Sequence, residues 1–250
     1  MSYLIIVPTY NHAHTVESLG IGVLHAHSET ELLFIDQGSH DQTTKKILQL
    51  EEVFPDRVHH LVLPKSNGWG HALLTGYKWG VSRGYPWIFQ MAADFSHHPV
   101  DLQRLIVATH AAAAVVGSRF IEGSVYNDPS PMLQLKHHWA RFLKNRLGLP
   151  MMDVTSSFVG YSRDLLERMP LGQIQTQGRA FDLEMKIMAS HQGATFWEVP
   201  ISHGRTKQNH KGSRGKHHRE WLWVLANSEP VPQTAAGGFE GAHQRRLHDY

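Results

Sequence analysis

The sequence has no cysteine. That excludes a disulfide scaffold and zinc–thiolate sites and accords with a reducing compartment, so the cytoplasm is the expected location. Long apolar runs are missing too. No segment approaches the roughly 18 continuous apolar residues of a membrane span, and the opening Met1-Ser2-Tyr3-Leu4-Ile5-Ile6-Val7-Pro8 is too short in apolar residues, and lacks the basic start, for a signal peptide. An excess of one charge sign is also absent: a net +2 with 20 scattered histidines gives no strong field at neutral pH and no reason to expect a nucleic-acid partner.

What is present suffices for one α/β domain, since 250 residues at 41% hydrophobic content can bury a sizeable core. We place that domain at residues 1–227. Residues 228–250 are Pro, Gly, Ala and polar residues with the character of a disordered tail.

The chain is organised around Trp87-Ile88-Phe89-Gln90-Met91-Ala92-Ala93-Asp94-Phe95-Ser96-His97-His98-Pro99. Its first half is an apolar run of strand length, and it breaks into an acidic and then imidazole-rich loop closed by proline. In an open α/β sheet ligands bind at the carboxyl ends of the strands, so Asp94 is placed to hold a divalent ion on a phosphate. Taken alone, Asp94 would equally begin an ordinary turn.

Strands are predicted at Leu4–Val7, Leu32–Ile35, Val58–Leu63, Ala112–Gly117 and Trp197–Ile201, with helical spacing between them. Strand, turn and helix in repetition indicate a mainly parallel sheet with helices on both faces. Ser39 with Gln42 forms a candidate capping box for a helix through Ile47, Leu48 and Leu50, and Ser162 a candidate cap for one through Leu165, Leu166 and Met169. Gly68 and Gly70 open a helix where backbone N–H groups can approach an anion. The segment Lys136-His137-His138-Trp139-Ala140-Arg141-Phe142-Leu143-Lys144-Asn145-Arg146 reads either as a solvated basic helix or as an interfacial one.

Ala92-Ala93-Asp94-Phe95-Ser96-His97-His98-Pro99 resembles the Asp-Ala-Asp-Leu-Ser-His-His-Pro segment of family-2 glycosyltransferases of the dolichol- and polyprenol-phosphate mannose synthase type. The resemblance extends over about residues 3–216. Pro8-Thr9-Tyr10-Asn11 is similar to the family's first nucleotide motif, and Asp36-Gln37-Gly38-Ser39 to its Asp-Asp-Gly-Ser. Gly68 and Gly70 fall on its Gly-Leu-Gly-x-Ala, and Ser118-Arg119-Phe120 on Gly-Ser/Thr-Arg-Tyr. Met152 to Phe158 resembles Asp-x-Thr-Ser-Gly-Phe. Gly178 to Glu184 resembles Gly-Tyr-x-Phe-x-x-Glu. Arg205, Ser213 and Arg214 match a loop that folds over the diphosphate. Two family acids are replaced, by Ala92 and Gln37; an amide still reads a base edge but supplies no charge.

The resemblance implies a GT-A type fold and an inverting, metal-dependent glycosyltransferase using GDP-mannose first or UDP-glucose second, with Mg²⁺ or Mn²⁺. It puts the ion on Asp94 and Ser96, and the nucleotide sugar on Pro8, Tyr10, Asn11, Asp36, Gln37, Gly68, Gly70, Ala93, Asp94, Arg205 and Arg214. Arg119, Glu184 and Arg205 complete the catalytic set with Asp94, Arg119 facing a phosphate-bearing, lipid-linked acceptor such as polyprenyl phosphate at the inner face of the membrane. A phosphomonoester acceptor needs no protein base, and Glu184 and Asp182 are the candidates if one exists. A soluble acceptor, a binding protein without turnover, and a nucleotidyltransferase on a related sheet stay open.

Overall fold

The structure, a computed structural model, describes residues 2–64, 67–126, 131–204 and 218–232. In chain order the strands are β1 (Tyr3–Thr9), β2 (Thr30–Asp36), β3 (Val58–Val62), β4 (Trp87–Gln90), β5 (Ala114–Ser118), β6 (Val125–Tyr126), β7 (Val159–Ser162), β8 (Phe196–Pro200) and β9 (Ser202–His203). The helices are α1 (Val16–Ala26), α2 (Thr43–Val53), α3 (Trp69–Ser82), α4 (Leu102–Ala108), α5 (Pro131–Leu147), α6 (Arg163–Arg168), α7 (Phe181–His191) and α8 (His218–Asn227).

The main sheet has seven strands in the order β3-β2-β1-β4-β7-β5-β8. Every pairing is parallel except those of β7, which runs antiparallel to both β4 and β5. The central strands are apolar throughout because both faces are covered. Leu4, Ile6, Leu33 and Ile35 face α3, α5, α6 and α7, while Ile5, Val7, Leu32 and Phe34 face α1, α2 and α4. Chain order reverses between β2-β1 and β4, so the crevice at the carboxyl ends of β1 and β4 is the topological switch point where such folds take ligands.

The predicted strands all form, and Ser162 caps α6 by accepting the Leu165 N–H. Two local expectations are corrected. The capping box at α2 does not form, because the Ser39 hydroxyl donates to the Asp36 carboxylate and Asp41 instead accepts the Thr43 N–H at 2.9 Å. The tail predicted from residue 228 begins with packed chain: Val231 is 4% exposed in the core and its N–H donates to the Leu147 carbonyl at 2.9 Å. Residues 233–250 lie outside the described residues.

Candidate active site

Two loops at the switch point are locked together by the residues that leave β1 and β2. Asn11 adopts a left-handed φ of 56°, which asparagine tolerates better than most residues. In that conformation its N–H donates to Ser39 Oγ, and its Oδ1 accepts from the His40 N–H, both at 2.9 Å. Asp36, 1% exposed, accepts from Ser39 and from Thr44 Oγ1 at 2.6 Å. It therefore clamps its own loop. Gln37 is buried beside it with its N–H on the Thr9 carbonyl, Pro8 is inside β1, and Tyr10 is 40% exposed over His40.

The loop after β4 is built on a tight turn. Phe95 is left-handed at φ 59°, a conformation costing a non-glycine residue roughly 1–2 kcal/mol. The turn brings both the N–H and the hydroxyl of Ser96 onto Asp94 Oδ1, at 3.0 and 2.6 Å. His97 closes the loop from the other side. Its Nδ1 accepts the Ala92 N–H at 3.1 Å while its ring stacks on Phe158 with centroids 4.6 Å apart. An imidazole thus secures the backbone where the family's first acid would stand.

A cavity of about 250 Å³ opens beside this loop, its lining including Asp94, Ser96, Asp182 and the cations Arg119, Lys136 and Arg179. No group of three His, Cys, Asp or Glu side chains able to hold a metal occurs among the described residues. The donors at Asp94 and Ser96 are nevertheless hard oxygens on a cavity wall. They fit Mg²⁺ or Mn²⁺, which take one or two carboxylates from protein and the rest of the shell from substrate phosphates and water.

Arg119 is brought in from the end of β5. Its guanidinium and N–H form a fork onto Asp153, with Nε and Nη2 each 2.7 Å from a carboxylate oxygen, and Nη2 also reaches Thr155 Oγ1 at 2.8 Å. Burial alone would raise the Asp153 carboxyl, but Arg119 and then Lys186 hold it below the ordinary range. Glu198 on β8 accepts the N–H groups of Met152 and Asp153, and burial pushes its carboxyl up. Sequence reasoning quoted Asp153 only as part of a motif and missed Lys186. An acid next to Thr-Ser gives no sign in sequence that an arginine thirty-four residues earlier will meet it.

The remaining expected site residues are placed differently from expectation. Glu184 accepts the Gln175 N–H at 3.0 Å and the Thr176 N–H at 2.9 Å, so it anchors the segment before α7, and Asp182 lines the cavity in its place. Gly68 and Gly70 serve the same segment. The Gly70 N–H donates to the Gln177 carbonyl at 2.6 Å, and a Cβ at Gly68, whose φ is 106°, would stand 2.4 Å from that oxygen. Both positions are required by close packing. Gly68→Ala is expected to destabilise by about 1–3 kcal/mol through strain and clash, and an unchanged thermal unfolding midpoint would refute this. Ala93 is buried next to Asp94, while Arg205 and Arg214 lie outside the described residues.

The glycosyl transferase family 2 model matches residues 4–169. The chain belongs to glycosyl transferase family 2. This glycosyltransferase is 33% identical over 228 residues to the polyprenol monophosphomannose synthase of Mycolicibacterium smegmatis, covering 89% of this chain and 85% of that one. It is 32% identical to the undecaprenyl-phosphate mannosyltransferase of Micrococcus luteus, covering 81% and 83%. Its fold is that of glucosyl-3-phosphoglycerate synthase from Mycobacterium tuberculosis, solved with Mn²⁺, UDP-glucose and phosphoglyceric acid, at a TM-score of 0.61 and 16% identity over 90% of this chain and 78% of that one. The GT-A architecture expected from the resemblance is therefore the architecture of the transferase.

Proposed function

We propose that the transferase moves a hexose, mannose from GDP-mannose first and glucose from UDP-glucose second, onto a phosphate-bearing acceptor, polyprenyl phosphate first. One observation carries this reading: a single cavity brings the oxygens of Asp94 and Ser96 together with the cations Arg119, Lys136 and Arg179. A divalent ion held by Asp94 and Ser96 would neutralise charge on the donor diphosphate. Arg119, whose Nε and Nη2 are held by Asp153, is assigned to the acceptor phosphate through the positive charge its guanidinium brings to the cavity wall. The phosphate oxygen attacks the anomeric carbon from the face opposite the diphosphate, the glycosyl bond breaks, and the nucleoside diphosphate leaves with configuration inverted. An acceptor phosphate with a second pKa of about 6 is a nucleophile at neutral pH without a protein base. Arg205 and Arg214 are assigned to the leaving diphosphate on the strength of the motif.

Among the described residues no helix is long and apolar enough to cross a membrane. Lipid access is assigned to the outer surface of α5 and α8. Leu135, Trp139 and Phe142 are exposed on α5, with the Trp139 and Phe142 rings 5.5 Å apart, and Leu222 and Trp223 are exposed on α8. The α5 sequence has no acidic residue beside Lys136, Arg141, Lys144 and Arg146. Such a face suits peripheral contact with an anionic leaflet at about 1 kcal/mol per basic residue, fading with salt. Co-sedimentation with anionic vesicles is expected at low salt and lost at high salt, beside product formation from a short-chain polyprenyl phosphate, donor and Mn²⁺. Neither sedimentation nor lipid product would end the lipid reading in favour of a soluble phosphate acceptor.

A further inference from the structure

Among the described residues two carboxylates line the cavity, and the reading above uses one of them. The other, Asp182, is 3% exposed in the first turn of α7. Its position is fixed from the sheet. Gln90 at the end of β4 donates through Nε2 to Asp182 Oδ1 at 2.6 Å and to the Ser157 carbonyl at 2.9 Å, and is itself held by the Tyr77 hydroxyl on its Oε1 at 2.7 Å. The cation that balances Asp182 is Lys186, fully buried one turn on. Its ammonium donates to the carbonyls of Ser156 at 2.5 Å and Asp182 at 3.3 Å. Burial pushes the Asp182 carboxyl above the ordinary range against the pull of Lys186, Gln90, Arg179 and Trp69.

Asp182 is thus the counter-charge of buried Lys186 and at the same time part of the cavity wall. An acceptor-only group on a cavity wall calls for a ligand that brings donors. In a diphosphate-sugar donor the hexose lies between the diphosphate, assigned to Asp94, and the attacking phosphate, assigned to Arg119. Gln90 ties Asp182 to the strand that carries the Asp94 loop and, by its own bond to the Ser157 carbonyl, to the segment that carries Asp153. We propose that Asp182 is a specificity-determining residue for the donor, its carboxylate accepting hydrogen bonds from hydroxyl groups of the hexose. This inference deepens the proposed function and rests on it.

The test is titration calorimetry in Mn²⁺ with GDP, GDP-mannose, UDP and UDP-glucose, on wild type, Asp182→Asn, and the double variant Asp182→Asn/Lys186→Met. The double variant removes both buried charges together and keeps the result readable if the single variant folds poorly. Affinity for the free nucleoside diphosphate should stay within about twofold, whereas affinity for the nucleotide sugar should fall about tenfold or more, the size of a hydrogen bond to a charged group. Equal weakening of both ligands would overturn the assignment. So would an unchanged nucleotide-sugar affinity with turnover lost, which would mark Asp182 as a base. Failure of the wild type to bind any of the four would overturn the donor reading itself, and this assignment with it.

Discussion

Arg119→Ala is expected to destabilise the fold by about 3–5 kcal/mol, the usual consequence of removing one partner of a buried ion pair. Asp153 is fully buried and Arg119 supplies its two shortest contacts, so the variant leaves the carboxylate with the residue-119 backbone N–H, the Thr155 hydroxyl and the charge of Lys186. Because the Asp153 carboxyl is held below its unfolded value, the stability it contributes is complete above that value, near 3.8, and is lost as pH falls through the lower folded one. The gap between wild type and variant should therefore be full at neutral pH and narrow in acid. Urea unfolding at neutral and acid pH measures this, and a neutral-pH difference under about 1 kcal/mol would mean that the pair is worth no more than a surface bridge. Acceptor assays on Arg119→Ala must accordingly be read at protein concentrations corrected for folded fraction. The specific expectation is a loss of acceptor use much larger than any loss of nucleotide binding.

Asp94→Ala should remove divalent-dependent nucleotide binding. Ligand at about a hundredfold over its Kd stabilises a native protein by about 2.7 kcal/mol, and the variant should show none of that Mn²⁺-dependent shift. Undiminished Mn²⁺-dependent protection would sink the assignment of the ion to Asp94 and Ser96. The reverse substitution, Ala92→Asp, restores a second acid on the same loop and should tighten metal binding. If it weakens both metal and sugar-nucleotide binding, then His97, whose ring holds the Ala92 amide, has rebuilt the loop around a different arrangement.

Most of the parallel strands were legible because they centre on a short apolar run followed by a turn, a pattern that both-face burial imposes, and β3 because Val58, Leu61 and Val62 flank its two histidines. β7 was not, since Val159-Gly160-Tyr161-Ser162 is short and contains a glycine. The glycine is required by its neighbour: a Cβ at Gly160 would stand 2.4 Å from the Phe89 ring. Asp94 and Arg119 were legible as residue types at strand ends. What they bond to was not, because the Asp153 fork, the Glu198 brace and the Gln90–Asp182 bond join residues distant in sequence. Asp36, Glu184, Gly68 and Gly70 show the same limit from another side. Their motifs were visible, but the hydrogen bonds and close packing that engage them with neighbouring backbone and side chains were not.

The reversed strand β7 also sets an order of events during synthesis. β4 finds β1 as soon as the first ninety residues exist, yet its other edge has no partner until Val159–Ser162 emerges. Through that interval the nascent protein carries an open, apolar strand edge, the template on which chains pair wrongly. β5 waits for the same four residues to bridge it to β4. A ribosome stalled before residue 159 should therefore display a sticky intermediate that holdase chaperones occupy, and release past residue 162 should free it in one cooperative step.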